Sequence, residues 1–174
     1  MGTLNFAGGA SLSGSGSNLV SASGLNLSGN WIDAPAGTVI QMQTAVYNTD
    51  TTVTVGATES ATLINLSFTP RLATSKLYIM LYCGQIKKHT AGTNWGSMKV
   101  RNTTLALDYV NSGAIGYPDS ANDRRIMLTE HSVVNSWGTN ANNIAVECYA
   151  AGGSSYTYSH QGADTRLSIM EITT

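Results

Sequence analysis

Residues 75–84, SKLYIMLYCG, constrain the fold more than any other stretch of the chain. Positions 77–83 are apolar or amphipathic without a break. The run is far short of the roughly 20 apolar residues of a membrane-spanning helix. It is rich in aliphatic and aromatic residues and lies between Pro70 and Gly84, so it predicts a strand. Leu77, Ile79, Leu81 and Cys83 fall on one face, and Tyr78, Met80 and Tyr82 on the other. A strand covered on one face alternates with plainly polar residues, and this one does not. Both faces are therefore expected to be covered, one by the domain's own core and the other by a second sheet or a neighbouring subunit. Tyrosine suits a surface that is wet before assembly and dry after it. That places Tyr78, Met80 and Tyr82 at a subunit contact.

The rest of the chain from Gly37 reads in the same period. Val39 to Val46 alternate loosely, with Val39 opposite Ile40 and Ala45 opposite Val46. Ile64, Leu66 and Phe68 share a face before Pro70. Met98 and Val100 point inward beside Lys99 and Arg101. Leu105, Leu107 and Tyr109 form a further alternating piece, and the stretch from Arg124 to Val134 carries Ile126, Leu128 and later Val133. Ile144, Val146 and Cys148 oppose Glu147, and Tyr156 and Tyr158 alternate with Thr157 and Ser159. RLSIMEIT, residues 166–173, is the closing strand segment. No segment carries a 3.6-residue apolar period. About eight short strands with Gly-rich turns predict an all-β, jelly-roll-like antiparallel sandwich over residues 37–174.

Residues 1–36 differ. ASLSGSGSNLVSASGLNLSGN holds only isolated aliphatic residues among Gly, Ser, Ala and Asn. Ordering the backbone costs on the order of 1–2 kcal/mol per residue, which so few apolar groups do not offset. The stretch is a flexible linker or an extended arm that orders against a partner. The large anchors Phe6 and Trp31 favour an arm, with Leu4, Leu12, Leu19, Leu25 and Leu27 as further docking contacts.

Composition removes several functions. Nine basic residues against ten acidic ones, with a net charge of −1 and no basic stripe, exclude an electrostatic nucleic-acid binder. Charged residues are 11% of the chain, and Thr, Ser and Asn take their place, which suits β-surfaces satisfied by hydroxyls and amides and leaves the chain prone to association. Cys83 and Cys148 are in phase with aliphatic neighbours and read as buried thiols, although a disulfide stays open at this level. No metal-ligand spacing, phosphate loop, nucleophile elbow or His-Glu-x-x-His is present, and no cofactor or catalysis is expected. Glu130 and His131 are adjacent on a strand and point apart. The start lacks a secretory signal, and Phe6 stands where myristoylation needs Ser or Thr, so assembly in a cytoplasm is expected, without membrane insertion. The connections over 87–96, 111–123 and 135–143 carry Trp95, Tyr117, Asp119 and Trp137. These are receptor-contact candidates, suited to a protein or to sugars that stack on rings, with a core-capping role as the alternative.

Three blocks resemble a family. FTPRLATSKLYIML resembles a recurring block of small β-structured bacteriophage proteins, often of marine or cyanobacterial hosts. There a strand ending in Thr-Pro leads through a polar stretch to Ser-Lys and an aliphatic strand. PAGTVIQMQTAVYNT resembles the start of the same modules, and RLSIMEIT their closing strand, typically Leu-x-Ile/Val-x-Glu-Ile. The resemblance covers residues 35–86 and 166–174. It implies a virion appendage protein with a jelly-roll-like head, usually trimeric, held to other tail or capsid proteins by an N-terminal segment. An arm of about 35 residues without a shaft leaves a short fibre, a tail-tip knob or a capsid decoration; a soluble carbohydrate-binding module is the further alternative.

Overall fold

The computed structural model describes residues 2–5, 11–14, 36–54, 60–89, 95–113, 115, 125–151 and 155–174. The chain divides into two units, Met1–Ile32 and Asp33–Thr174. The first contains β1, Gly2–Asn5, and β2, Ser11–Gly14, which pair antiparallel with Leu4 opposite Leu12.

The second unit carries β3 (Val39–Tyr47), β4 (Thr51–Thr54), β5 (Ser60–Phe68), β6 (Lys76–Lys88), β7 (Trp95–Asn102), β8 (Leu107–Asn111), β9 (Arg125–Asn135), β10 (Asn142–Ala151), β11 (Ser155–Tyr158) and β12 (Thr165–Ile172). The described residues include no α-helix; a 3-10 turn spans His160–Gly162. One sheet runs β5-β10-β7-β8, and the other is six-stranded. The second is built on β6. Its 76–83 half pairs with β12 and its 86–88 end with β11, while β9 follows its other edge. β3 and β4 then flank β12 and β11. Counting β3/β4 and β11/β12 as two bent strands, the sheets read 1-8-3-6 and 2-7-4-5. That is the double Greek key of a jelly roll, and it reconciles about eight expected strands with ten observed.

The bend has a local cause. The β6–β9 register shifts between Cys83 and Ile86. A bulge there reverses the side-chain phase. Leu77, Ile79, Leu81 and Cys83 are buried before it, Ile86 and Lys88 after it. Opposite the bulge, the chain between β11 and β12 turns, and the Gly84 amide donates to the Asp164 carbonyl at 2.9 Å. The Asp50 carboxylate secures this turn by accepting from the Gly162 amide at 3.1 Å and lying 3.2 Å from His160 Nδ1. Those contacts, the Gly162 amide foremost, hold the Asp50 pKa below its usual value.

Phe68, Met98, Val100, Ile144, Val146, Leu167 and Ile169 fill the space between the sheets with the inward side chains of β6. Cys83 and Cys148 face this space from opposite sheets, both buried and free. Packed sheets lie about 10 Å apart, beyond the roughly 7 Å Cα separation that a disulfide spans. One expectation needs correcting. Leu105 is not in a strand: it sits exposed in the turn before β8, and Leu107 is also exposed, while Val110 is the buried residue of β8. A register shift between Val100 and Arg101 moves β8 by one position against β7, which sequence alternation alone does not show.

The three blocks that carry the resemblance meet at Glu171. This buried carboxylate accepts from the amides of Arg71 (2.8 and 3.0 Å) and Leu72 (2.8 Å) and from the Ser75 hydroxyl at 2.6 Å. Gln41 Nε2 adds a fourth donor group at 2.5 Å. Buried charge is tolerated only when so fully paired. Glu171 thereby fixes the 69–75 segment and β3 to β12.

Candidate interaction surfaces

The two sheets present unlike outer faces. On the six-stranded sheet, strand register lines up Val133, Tyr78, Met170 and Met42 as one row across β9, β6, β12 and β3. The next row is His131, Met80, Ser168 and Thr44, and the third is Thr129, Tyr82, Arg166 and Val46. Val39, Met42, Val46, Tyr82, Met127 and Val133 are exposed. The Tyr78 and His131 rings lie 5.7 Å apart. Tyr78, Met80 and Tyr82 therefore share one surface, and no second sheet of the described residues covers it. Arg166, at its margin, is occupied by Asp164 at 2.5 Å. The Thr44 and Ser168 hydroxyls pair at 2.9 Å, one of several cross-strand hydroxyl pairs that take the place of ion pairs.

The outer face of the four-stranded sheet is charged instead. Asp108 lies 3.1 Å from Lys99 Nζ and 3.8 Å from Arg101 Nε. Lys99 stands over the Tyr149 ring at 5.2 Å. The Tyr149 hydroxyl donates to Glu147, and burial, aided by that carboxylate, pushes its pKa up to about 12.

The two ends also differ. At one end, Gly37 donates to the Thr173 carbonyl at 2.9 Å and Ser136 to that of Ser75 at 2.9 Å, and Asn142 pairs with Phe68. The other end holds Thr54 opposite Ser155, Lys87 opposite Arg125, Trp95 opposite Ala151, and the Gly96–Ile115 bridge. Ser60, opposite Tyr149, also lies towards this second end.

This polarity separates the receptor-contact candidates. Trp95 is 43% exposed at the second end. Trp137 is at the first, roughly 20 Å or more away along the strands. Its ring meets Phe68 edge-on at 5.9 Å and stacks on Tyr109 at 6.0 Å, and its Nε1 donates to the Asn140 carbonyl at 3.0 Å. Trp137 is a lid on the core, because Phe68 would otherwise meet water there. Tyr117 and Asp119 lie outside the described residues, as do Phe6, Leu19, Leu25, Leu27 and Trp31. Of the arm positions, Leu4 and Leu12 are described, as the cross-strand pair of β1 and β2.

Sequence reading singled out Tyr78, Met80 and Tyr82 but missed Met42, Val46, Met127, Val133 and Met170 on the same face. A signal was present. Ile126-Met127-Leu128 and Val133-Val134 break the alternation just as β6 does, and so does Val39-Ile40. Among the described residues, no three His, Cys, Asp or Glu side chains gather as a metal site.

No protein-family model and no curated protein matches the chain. Solved structures similar to it include infectious bursal disease virus particles. For the Gx strain, identity is 9% and the TM-score 0.44 over 78% of this chain. For the VP2 subviral particle the values are 8% and 0.41 over 78%, and for the Gt strain 10% and 0.42 over 89%. This chain spans 33% to 43% of the length of those chains.

Proposed function

We propose that this is a structural protein of a bacteriophage virion: a short trimeric fibre or tip knob, docked by its N-terminal arm and presenting the jelly roll towards the host surface. The observation that carries the reading is the apolar outer face of the six-stranded sheet. Contiguous exposed apolar surface on a sealed sandwich is a mark of association, and here it sits opposite a charged face. Tyr78, Met80 and Tyr82 lie in its centre and form the subunit contact. The chain enters the jelly roll at the Gly37 end and Trp95 lies at the opposite end, which suits docking through the arm with Trp95 directed outward. A lone two-stranded pair such as β1–β2 is marginal in water, which suits a segment that orders against other virion proteins. Jelly rolls also serve lectins, and fold alone does not assign function. The reading includes no catalysis, cofactor, nucleic acid or membrane insertion.

Two measurements test it. Tyr78→Asp and Tyr82→Asp in the full chain convert a trimer to monomers in sedimentation; an unchanged mass removes the subunit contact from this face. Labelling this chain on whole particles by electron microscopy gives a few dozen copies or fewer on an appendage. Hundreds over the head would make it a decoration protein, and none would remove it from the virion.

A further inference from the structure

The apolar face is not one uniform patch. Its most exposed members stand on the two edge strands: Met127 (72%) and Val133 (56%) on β9, and Val39 (50%), Met42 (55%) and Val46 (52%) on β3. Between them lie β6 and β12, whose outward Tyr78, Met80, Ser168 and Met170 are half-buried. Across the 39–47 half of the sheet, three inter-strand spacings separate the two edges, about 14 Å. Within 127–133, β9 shows Met, Thr, His and Val outward. Within 39–46, β3 shows Val, Met, Thr and Val at the paired outward positions. Neither set contains an acid, a lysine or an arginine. Among the described strands, β3 and β9 each pair along one side.

We infer that neighbouring copies meet edge to edge in a heterologous contact, the β3 edge of one against the β9 edge of the next, so that three copies close a ring. This rests on the trimeric reading above and specifies its geometry. One patch meeting itself produces a twofold dimer, whereas two different patches joined head to tail produce a ring when the rotation closes. The occupant of each edge is a second copy of the chain. Each edge offers aliphatic and thioether groups with a threonine between them, and β9 also His131, over about seven residues, some 23 Å, and the other edge matches it in length and in the absence of acids, lysine and arginine. The whole face is about 14 Å between its edge strands and about 23 Å long, and in a ring it is shared between two neighbours. Tyr78, Met80 and Tyr82 then line the axis.

The test uses two full-length variants, Val133→Asp and Met42→Asp, each impaired at one edge. Each alone is expected to sediment as a monomer while the wild type is a trimer. Mixed in equal amounts at high concentration, they form a 1:1 heterodimer by native mass spectrometry, because the intact β3 edge of the first meets the intact β9 edge of the second. A mixture that stays monomeric overturns the inference, as does either variant remaining trimeric or dimerising by itself. Circular dichroism checks folding, and the milder pair Val133→Thr and Met42→Thr replaces any variant that unfolds. A wild-type monomer would instead remove the trimeric reading.

Discussion

The Glu171 carboxylate accepts the Ser75 hydroxyl at 2.6 Å across 96 residues of sequence. The same group holds the amides of Arg71 and Leu72 and the Gln41 side chain. One acid in the last strand thus closes the 69–75 segment and an edge strand together. Glu171→Gln replaces an anionic acceptor with a group whose NH₂ faces other donors. The expected loss is about 2–4 kcal/mol, or roughly 5–15 °C in Tm. Thermal unfolding followed by circular dichroism checks it; a loss below about 0.5 kcal/mol would show that the contacts contribute little.

Gly96 marks a close approach. A Cβ there would lie 2.5 Å from the Tyr158 hydroxyl and 3.1 Å from the Tyr156 ring. That hydroxyl is itself buried, donating to the Tyr149 carbonyl at 2.5 Å. Gly96→Ala is expected to cost about 1–3 kcal/mol through overpacking. In urea unfolding, Gly96→Ala combined with Tyr158→Phe should cost less than the two changes summed, because removing the hydroxyl relieves part of the clash.

The two body tryptophans should behave oppositely. Trp137→Ala uncovers Phe68 and removes the stack on Tyr109, and is expected to destabilise by about 2–3 kcal/mol, below the 3–5 of a fully buried ring. Trp95→Ala should change stability by no more than about 0.5 kcal/mol, yet weaken attachment of particles to host cells. Melting curves and an adsorption assay separate the two effects.

Alkaline pH should expose the buried hydroxyl and thiol. Burial pushes the Cys148 pKa from 9.0 to about 12, and it raises that of Tyr158 as well. Folding therefore retains protons that the unfolded chain releases. The stability this confers is complete below about pH 9 and is lost as pH rises from there to about 12. Urea midpoints should be flat with respect to these groups near neutrality and fall above pH 9, and Cys148→Ala should flatten the fall. Near-neutral alkylation should spare both thiols in the folded protein and modify both in urea, since Cys83 and Cys148 are fully buried.

Much of this architecture was legible. The period-two runs set Met98 and Val100 inward and put Ile64 with Phe68, Ile144 with Val146, and Tyr156 with Tyr158 on shared faces, and all of these are buried. Alternation reports which side chains the pleat turns to one face, and here that face packs against the opposite sheet. Long-range register was not legible. The bulge between Cys83 and Ile86 and the shift at Val100 are set by partner strands. For the same reason the row Val133–Tyr78–Met170–Met42 cannot be read from any one segment. For Trp137 both alternatives stayed open, because an aromatic residue in a polar connection looks alike whether it faces solvent or seals a sheet. Glu171 was legible as part of a motif, but its role was not, because its donors come from two other blocks, Gln41 in one and Arg71, Leu72 and Ser75 in the other.

The pairing of Gly37 with Thr173 has a practical consequence for engineering. A reporter fused after Thr174 would emerge beside Gly37, where the chain enters the jelly roll. A cargo peptide inserted between Ala151 and Ser155 would instead be carried at the opposite end of the sandwich, away from the Gly37–Thr173 pairing.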